Sequence, residues 1–205
     1  MNNRIKLSIN CRRISLLDDD IVSIHQSLLD CVASFPPPWK LDFNGTPIIK
    51  PGQLSAICKA SRKGKFSGHV RYTFRGEHYL KDESQYDDYI GLRFRANEEE
   101  LELMAQEVLP KLVNTFGAYR AEVMVDDLAC QDWLAISKVT READCDVFGR
   151  YGVYRVWPLA YYSNSLLKNI PKLINGAPLG NGYMFNAVKE YFNNQYEQFN
   201  DKVTK

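Results

Sequence analysis

The chain has 205 residues, a formal net charge of +1 and 45% hydrophobic residues. That length and composition fit one ordinary globular domain with a buried core, and the near-zero charge excludes the bulk field that announces nucleic acid or a membrane surface. No apolar run reaches the ~18 residues of a spanning helix and the N-terminal stretch has no signal-peptide core, so a cytoplasmic protein without membrane contact is expected.

In chain order, Ile5, Leu7 and Ile9 alternate with polar residues and predict a first strand. Asp18, Asp19 and Asp20 precede Ile21, Ile24, Leu28 and Val32, spaced as one helical face with acids at the positive end of the dipole. Pro36, Pro37 and Pro38 end that helix. Trp39 to Pro51 reads as a short extended piece, and Leu54 to Ala60 as a helical turn or two. Val70, Tyr72 and Phe74 alternate with Arg71, Thr73 and Arg75, a strand with one wet face. Ile90 to Ala96 alternates again.

The clearest helix follows. Asn97 and Glu100 have capping-box spacing, and Leu101, Met104, Ala105, Val108, Leu109, Leu112, Val113 and Phe116 share one face up to Gly117. Pro110 should kink or split it. Tyr119 to Val125 is a further strand. This strand and the one from Ile90 either lie side by side in parallel or flank a third strand. Asp126 to Cys145 reads as a short helix or strand, Asn164 to Ile174 as a helix interrupted at Pro171, and Asn175 to Gly182 as a loop. Val188, Phe192, Tyr196, Phe199 and Val203 predict a closing amphipathic helix. With no repeat and no composition break, residues 1–205 are expected to form one α+β domain, a mixed or antiparallel sheet packed with amphipathic helices.

Catalytic and metal signatures are sparse. The cysteines (Cys11, Cys31, Cys58, Cys130 and Cys145) form no CxxC pair and read as reduced thiols, mostly buried. His25, His69 and His78 match no ligand or triad pattern, and His25 is expected to face solvent. No metal, cofactor or catalytic residue is assigned, and a non-enzymatic protein is expected. Two charged clusters remain. Lys59, Arg62, Lys63, Lys65, Arg71 and Arg75 could meet phosphate, which keeps a nucleic-acid module over 59–75 as the alternative reading. The acidic loop Asp82, Glu83, Tyr86, Asp87, Asp88 and Tyr89 is the better interaction candidate, with Asp126 and Asp127 extending it. Carboxylates would supply charge complementarity and the two tyrosines the anchors.

The aromatic stretch Gly149 to Asn164 reads as a core strand covered on both faces, with Pro158 at an edge, a bulge or a strand end. Its Arg155 then needs a partner. The segment Gly152-Val153-Tyr154-Arg155-Val156-Trp157-Pro158, following a strand–helix–strand and leading to aromatics and a helix, resembles bacterial immunity proteins of polymorphic-toxin and type VI secretion systems. The nearest likeness is to the immunity protein 52 type, over Ile90 to Ile174. The resemblance implies a protein that binds one cognate toxin and occludes its active site. The toxin would act in the cytoplasm, for example on nucleic acid or a nucleotide. The near-neutral charge favours a mixed aromatic and acidic contact over electrostatic mimicry of a substrate. A homodimer is left open.

Overall fold

Among the described residues, nine strands form one antiparallel sheet in the order β2-β3-β4-β5-β1-β6-β7-β9-β8. The computed structural model describes residues 4–16, 20–61, 65–73, 87–143, 150, 152–168, 170, 176–193 and 195, with backbone alone over 139–143. The strands are β1 Ile5–Arg13, β2 Phe43–Asn44, β3 Ser55–Ala60, β4 Ser67–Thr73, β5 Asp88–Ala96, β6 Arg120–Val125, β7 Leu159–Ser163, β8 Ala177–Leu179 and β9 Gly182–Asn186. The helices are α1 Ile21–Ala33, α2 Glu98–Leu103, α3 Leu109–Phe116, α4 Asp126–Ala143, α5 Asn164–Leu167 and α6 Lys189–Phe192. The fold is α+β, as expected.

The β5–α2–α3–β6 unit resolves the choice left by the sequence. β5 and β6 both pair antiparallel with β1, so they flank it. One face of the sheet carries Leu7, Ile9, Cys11, Ile90, Leu92 and Val123, all buried, against Leu28 and Val32 of α1, Leu101 of α2 and Leu112 and Phe116 of α3. Trp39, Phe66 and Phe94 close one end of this core, ring against ring at 5.2 to 5.5 Å. The Trp39 indole N–H donates to the Glu100 carbonyl at 3.2 Å, so its one polar atom is satisfied.

Pro110 interrupts the α-helical run as expected, dividing it into α2 and α3. The turn before it, Met104–Val108, widens to a π-helix in which the Leu109 N–H donates to the Met104 carbonyl five residues back. A widened turn gives the proline ring room and absorbs its missing donor.

Several expectations need correction. Leu54 to Ala60 is not helical: Ala56, Cys58 and Ala60 point into the core and Ile57 and Lys59 out of it, the period of strand β3. The segment after Asp126 is a long helix, α4. Of the expected loop, Asn175 lies outside the described residues, and residues 177–182 lead through a β8–β9 hairpin turned at Gly180 with φ of 53°. His25 is buried rather than solvent-facing, with Nδ1 3.0 Å from the Tyr72 hydroxyl. The strand expected over Gly149 to Asn164 is confined, among the described residues, to β7, which begins at Leu159 and is buried on both faces, so Pro158 stands at a strand end, one of the places expected for it. The 164–174 helix is described only as one turn, Asn164–Leu167, followed by Ile170. Of the closing helix, Tyr196, Phe199 and Val203 lie outside the described residues. Among the described residues no helix is long and apolar enough to cross a membrane.

Candidate partner-binding face

Strand alternation that sends apolar residues to the helices sends their neighbours to the opposite face. On β1, β3, β4, β5 and β6 those neighbours include seven cations, Lys6, Arg12, Lys59, Arg71, Arg93, Arg95 and Arg120. Lys59 lies across from the His69 ring. The register also sets two pairs of like charges directly across from each other, Lys6 against Arg95 and Arg12 against Arg120. Such pairs weaken a sheet. Among the described strand residues the acid on this face is Glu122, which is buried and accepts from the Tyr162 hydroxyl at 2.8 Å.

Tyr89 lies flat at the centre. Its ring runs so close over Gly91 that a Cβ there would sit 2.2 Å from the phenol oxygen. His69 meets the ring edge-on at 5.8 Å, and the guanidiniums of Arg12 and Arg71 lie 5.4 and 5.9 Å from its centre. Burial, with Arg71 and Lys59 adding repulsion, holds the His69 imidazole below its ordinary value. Burial and then Arg12 act on Arg71 in the same direction.

Helix α4 crosses this face against β6 and β1. Asp126 at its start accepts from Lys6 at 2.6 Å and pairs with Arg93 at 3.3 Å. Farther along, Asp132 takes both oxygens to Arg155, at 2.5 and 2.8 Å, and this is the partner that Arg155 required. The Arg155 guanidinium also lies 5.6 Å from the Trp157 ring centre. The bridge ties α4 to the 152–158 segment, and Arg120 donates to the Gly152 carbonyl beneath it. Between them opens a hollow of about 210 Å³ lined by Arg120, Trp133, Ile136, Tyr154 and Trp157. A second hollow, of about 400 Å³, is lined by His69, Tyr89, Arg93, Cys130 and Trp133. Trp133, shared by both, is 58% exposed, as is Tyr154.

The acidic residues singled out in the sequence do not assemble into a surface. Asp82, Glu83 and Tyr86 lie outside the described residues. Asp87 and Asp88 are fully buried and bonded, which corrects their expected place on an exposed loop. Asp87 accepts from Arg150 at 2.8 and 3.3 Å and from the Tyr119 hydroxyl at 2.6 Å. Asp88 accepts from Arg13 at 2.5 Å and from the Thr73 N–H at 2.8 Å. Tyr89 belongs to the cationic face. Asp126 is held by its two cations, and Asp127 is 87% exposed with Lys6 3.8 Å away.

The basic cluster divides too. Lys59 and Arg71 reach the cationic face. Lys65 instead lies over the Trp39 ring and bonds Glu100 at 2.7 Å, while Arg62, Lys63 and Arg75 fall outside the described residues. Lys6, Arg12, Arg93 and Arg95 were missed, although their alternation with Leu7, Cys11, Leu92 and Phe94 was a readable signal. Trp133 lies within Asp126 to Cys145, a segment read only as a short helix or strand.

Among the described residues no group of three or more His, Cys, Asp or Glu side chains could hold a metal ion. Comparison with family models, with curated proteins and with solved structures finds no match for this chain.

Proposed function

We propose that this chain is a non-enzymatic immunity protein of the cytoplasm. It binds one cognate antibacterial toxin and occludes the toxin's active site. The observation that carries the reading is the pairing of exposed Trp133 and Tyr154 with an arginine-bearing sheet face around two shallow hollows. Exposed aromatics beside arginines are the composition of protein interfaces and of their hot spots. The Gly152 to Pro158 segment that bears the family resemblance forms one wall of the first hollow through Tyr154, Arg155 and Trp157. Its Val156 and Trp157 are buried and its Tyr154 is out, so the segment serves both architecture and surface.

The alternative, a nucleic-acid module, draws support from Lys59 and Arg71 on the cationic face. Base stacking there would need an open ring. Tyr89 is packed on Gly91 with two guanidiniums beside it, which favours the protein partner.

Co-expression tests the proposal. The reading frame adjoining this one in its genome is expressed in a sensitive host with or without this chain. Growth arrest by the neighbour, relieved by this chain, is expected. A neighbour that is harmless, or that kills in either case, would overturn the reading.

A further inference from the structure

We infer that the toxin docks by adding an extended strand to the outer edge of β3, beside Ile57. The inference rests on the immunity reading above and deepens it. Strand β2 is short: Phe43 pairs with Ala60 and Asn44 with Lys59. The chain then turns away at Gly45, with φ of 94°. Strand β3 continues without it, paired on its other side with β4 as far as Ser55 and Thr73. Residues 55–58 are therefore an edge of the sheet.

Two bonds fix which backbone groups that edge presents. Alternate residues of an antiparallel strand direct their N–H and C=O to the same neighbour. The Ser61 N–H donates to the Asp42 carbonyl at 2.8 Å, so Ser61, Lys59, Ile57 and Ser55 face the β2 side. On β4 the Thr73 N–H donates to the Asp88 carboxylate of β5 at 2.8 Å, so Thr73, Arg71 and His69 face β5, while Tyr72 and Val70 face Ala56 and Cys58. Both bonds give the same phase. Ala56 and Cys58 bond to β4, whereas Ser55 and Ile57 turn their N–H and C=O groups outward. No hydrogen bond among the described residues closes those outward groups.

The side chains at this edge are apolar and open. Ile57 is 54% exposed, and Ile48 and Leu54, in the connection from β2 to β3, are exposed as well. Edges left unpaired are usually blunted by a proline or a charge. The opposite edge has such a device, Pro178 in the middle of β8. The run Leu54-Ser55-Ala56-Ile57-Cys58 has neither. A strand is the occupant that matches: its alternate N–H and C=O groups meet those of Ser55 and Ile57, and an apolar residue opposite Ile57 shares its face. Ile57 projects from β3 on the same side as Lys59, so an added strand continues the face on which partner binding is placed. A second copy of this chain fits less well. Two such edges overlap only over residues 55–58, far short of the ~800 Å² per partner of a stable interface.

The test is hydrogen–deuterium exchange of the full-length protein, read residue by residue, alone and bound to the product of the adjoining reading frame. Alone, the amides of Ser55 and Ile57 should exchange at least about tenfold faster than those of Ala56 and Cys58, and in the complex they should slow by at least about tenfold. Ile57→Pro removes an outward N–H and no bond to β4, and should weaken the complex at least about tenfold. Ile57→Lys keeps that N–H but charges the edge, and should weaken the complex while leaving the circular dichroism unchanged. Slow exchange of Ser55 and Ile57 in the free protein would overturn the inference: an edge closed at every concentration is already occupied, and one closed only at high concentration takes a second copy. Fast exchange that persists in the complex, or wild-type affinity of both variants, would overturn it too. The two readings fail separately. Growth protection with Ser55 and Ile57 still exchanging would remove strand addition alone, whereas a product that is harmless or not relieved would remove the immunity role and this inference with it.

Discussion

Asp87 and Asp88 show how a residue's neighbours in sequence can mislead about its surroundings in space. They follow a run of polar and acidic residues, yet both are fully buried. Asp87 sits between Arg150 and Tyr119, residues far along the chain, and burial with Asp87 nearby pushes the Tyr119 phenol well up, keeping it a donor. Asp87→Ala would remove the carboxylate from a buried ion pair, so unfolding in urea should show a loss of about 3–5 kcal/mol. Asp127→Ala, at an exposed carboxylate, should stay within ~0.5 kcal/mol. Equal effects would contradict the buried network. His25 gives a pH dependence of known sign. Burial is the first cause holding its imidazole below the ordinary value, with opposing contributions from Gly45 and Asp42. The unfolded chain therefore takes the proton first, and stability should fall as the pH drops below about 6.5 while being flat above it. His69, lowered in the same direction, adds to the slope. His25→Gln should flatten part of that slope between pH 7.5 and 5.5, and an unchanged slope would rule out the contribution.

At the scale of elements, local rules were legible where the chain writes them in a few adjacent residues. The capping box is complete: Asn97 accepts from the Glu100 N–H at 2.9 Å, and Glu100 accepts from the Asn97 N–H at 3.1 Å. Asn97→Ala should destabilise the protein by about 1 kcal/mol in thermal or urea unfolding, and no change would show that α2 does not depend on its cap. Gly117 ends α3 in the left-handed region with φ of 65°, as its place after Phe116 suggested. Elements whose pattern is diluted were not legible. α4 opens on Asp126 and Asp127 and leaves Trp133, Leu134 and Ala135 exposed beside buried Ile136, so its apolar stripe is thin. Strand β3 was misread because a short alternation of small residues, Ala56, Cys58 and Ala60, also fits a helical turn. Pairing with β4 over Ser55 to Lys59 decides between them, and that is a long-range fact.

At the scale of the molecule, the fold class followed from the alternating and helical periods, but the candidate face did not. Each cation beside an apolar residue was visible in its own strand. That Lys59, Arg71, Arg93, Arg95, Lys6 and Arg12 share a surface depends on the strand order β3-β4-β5-β1, which no local pattern states. The same order buries Asp88 at the end of β5 against Arg13 at the end of β1. The molecule is thus divided into a helix-covered apolar face and a cationic face crossed by α4. The account places partner binding on the second. Its most direct test is growth protection against the adjoining gene's product by three versions of this chain. The wild type and Lys111→Glu, changed on α3 in the opposite layer at a position 45% exposed, should both protect. Lys59→Glu/Arg95→Glu should lose protection while remaining folded. Protection by all three, or by none, would contradict the account.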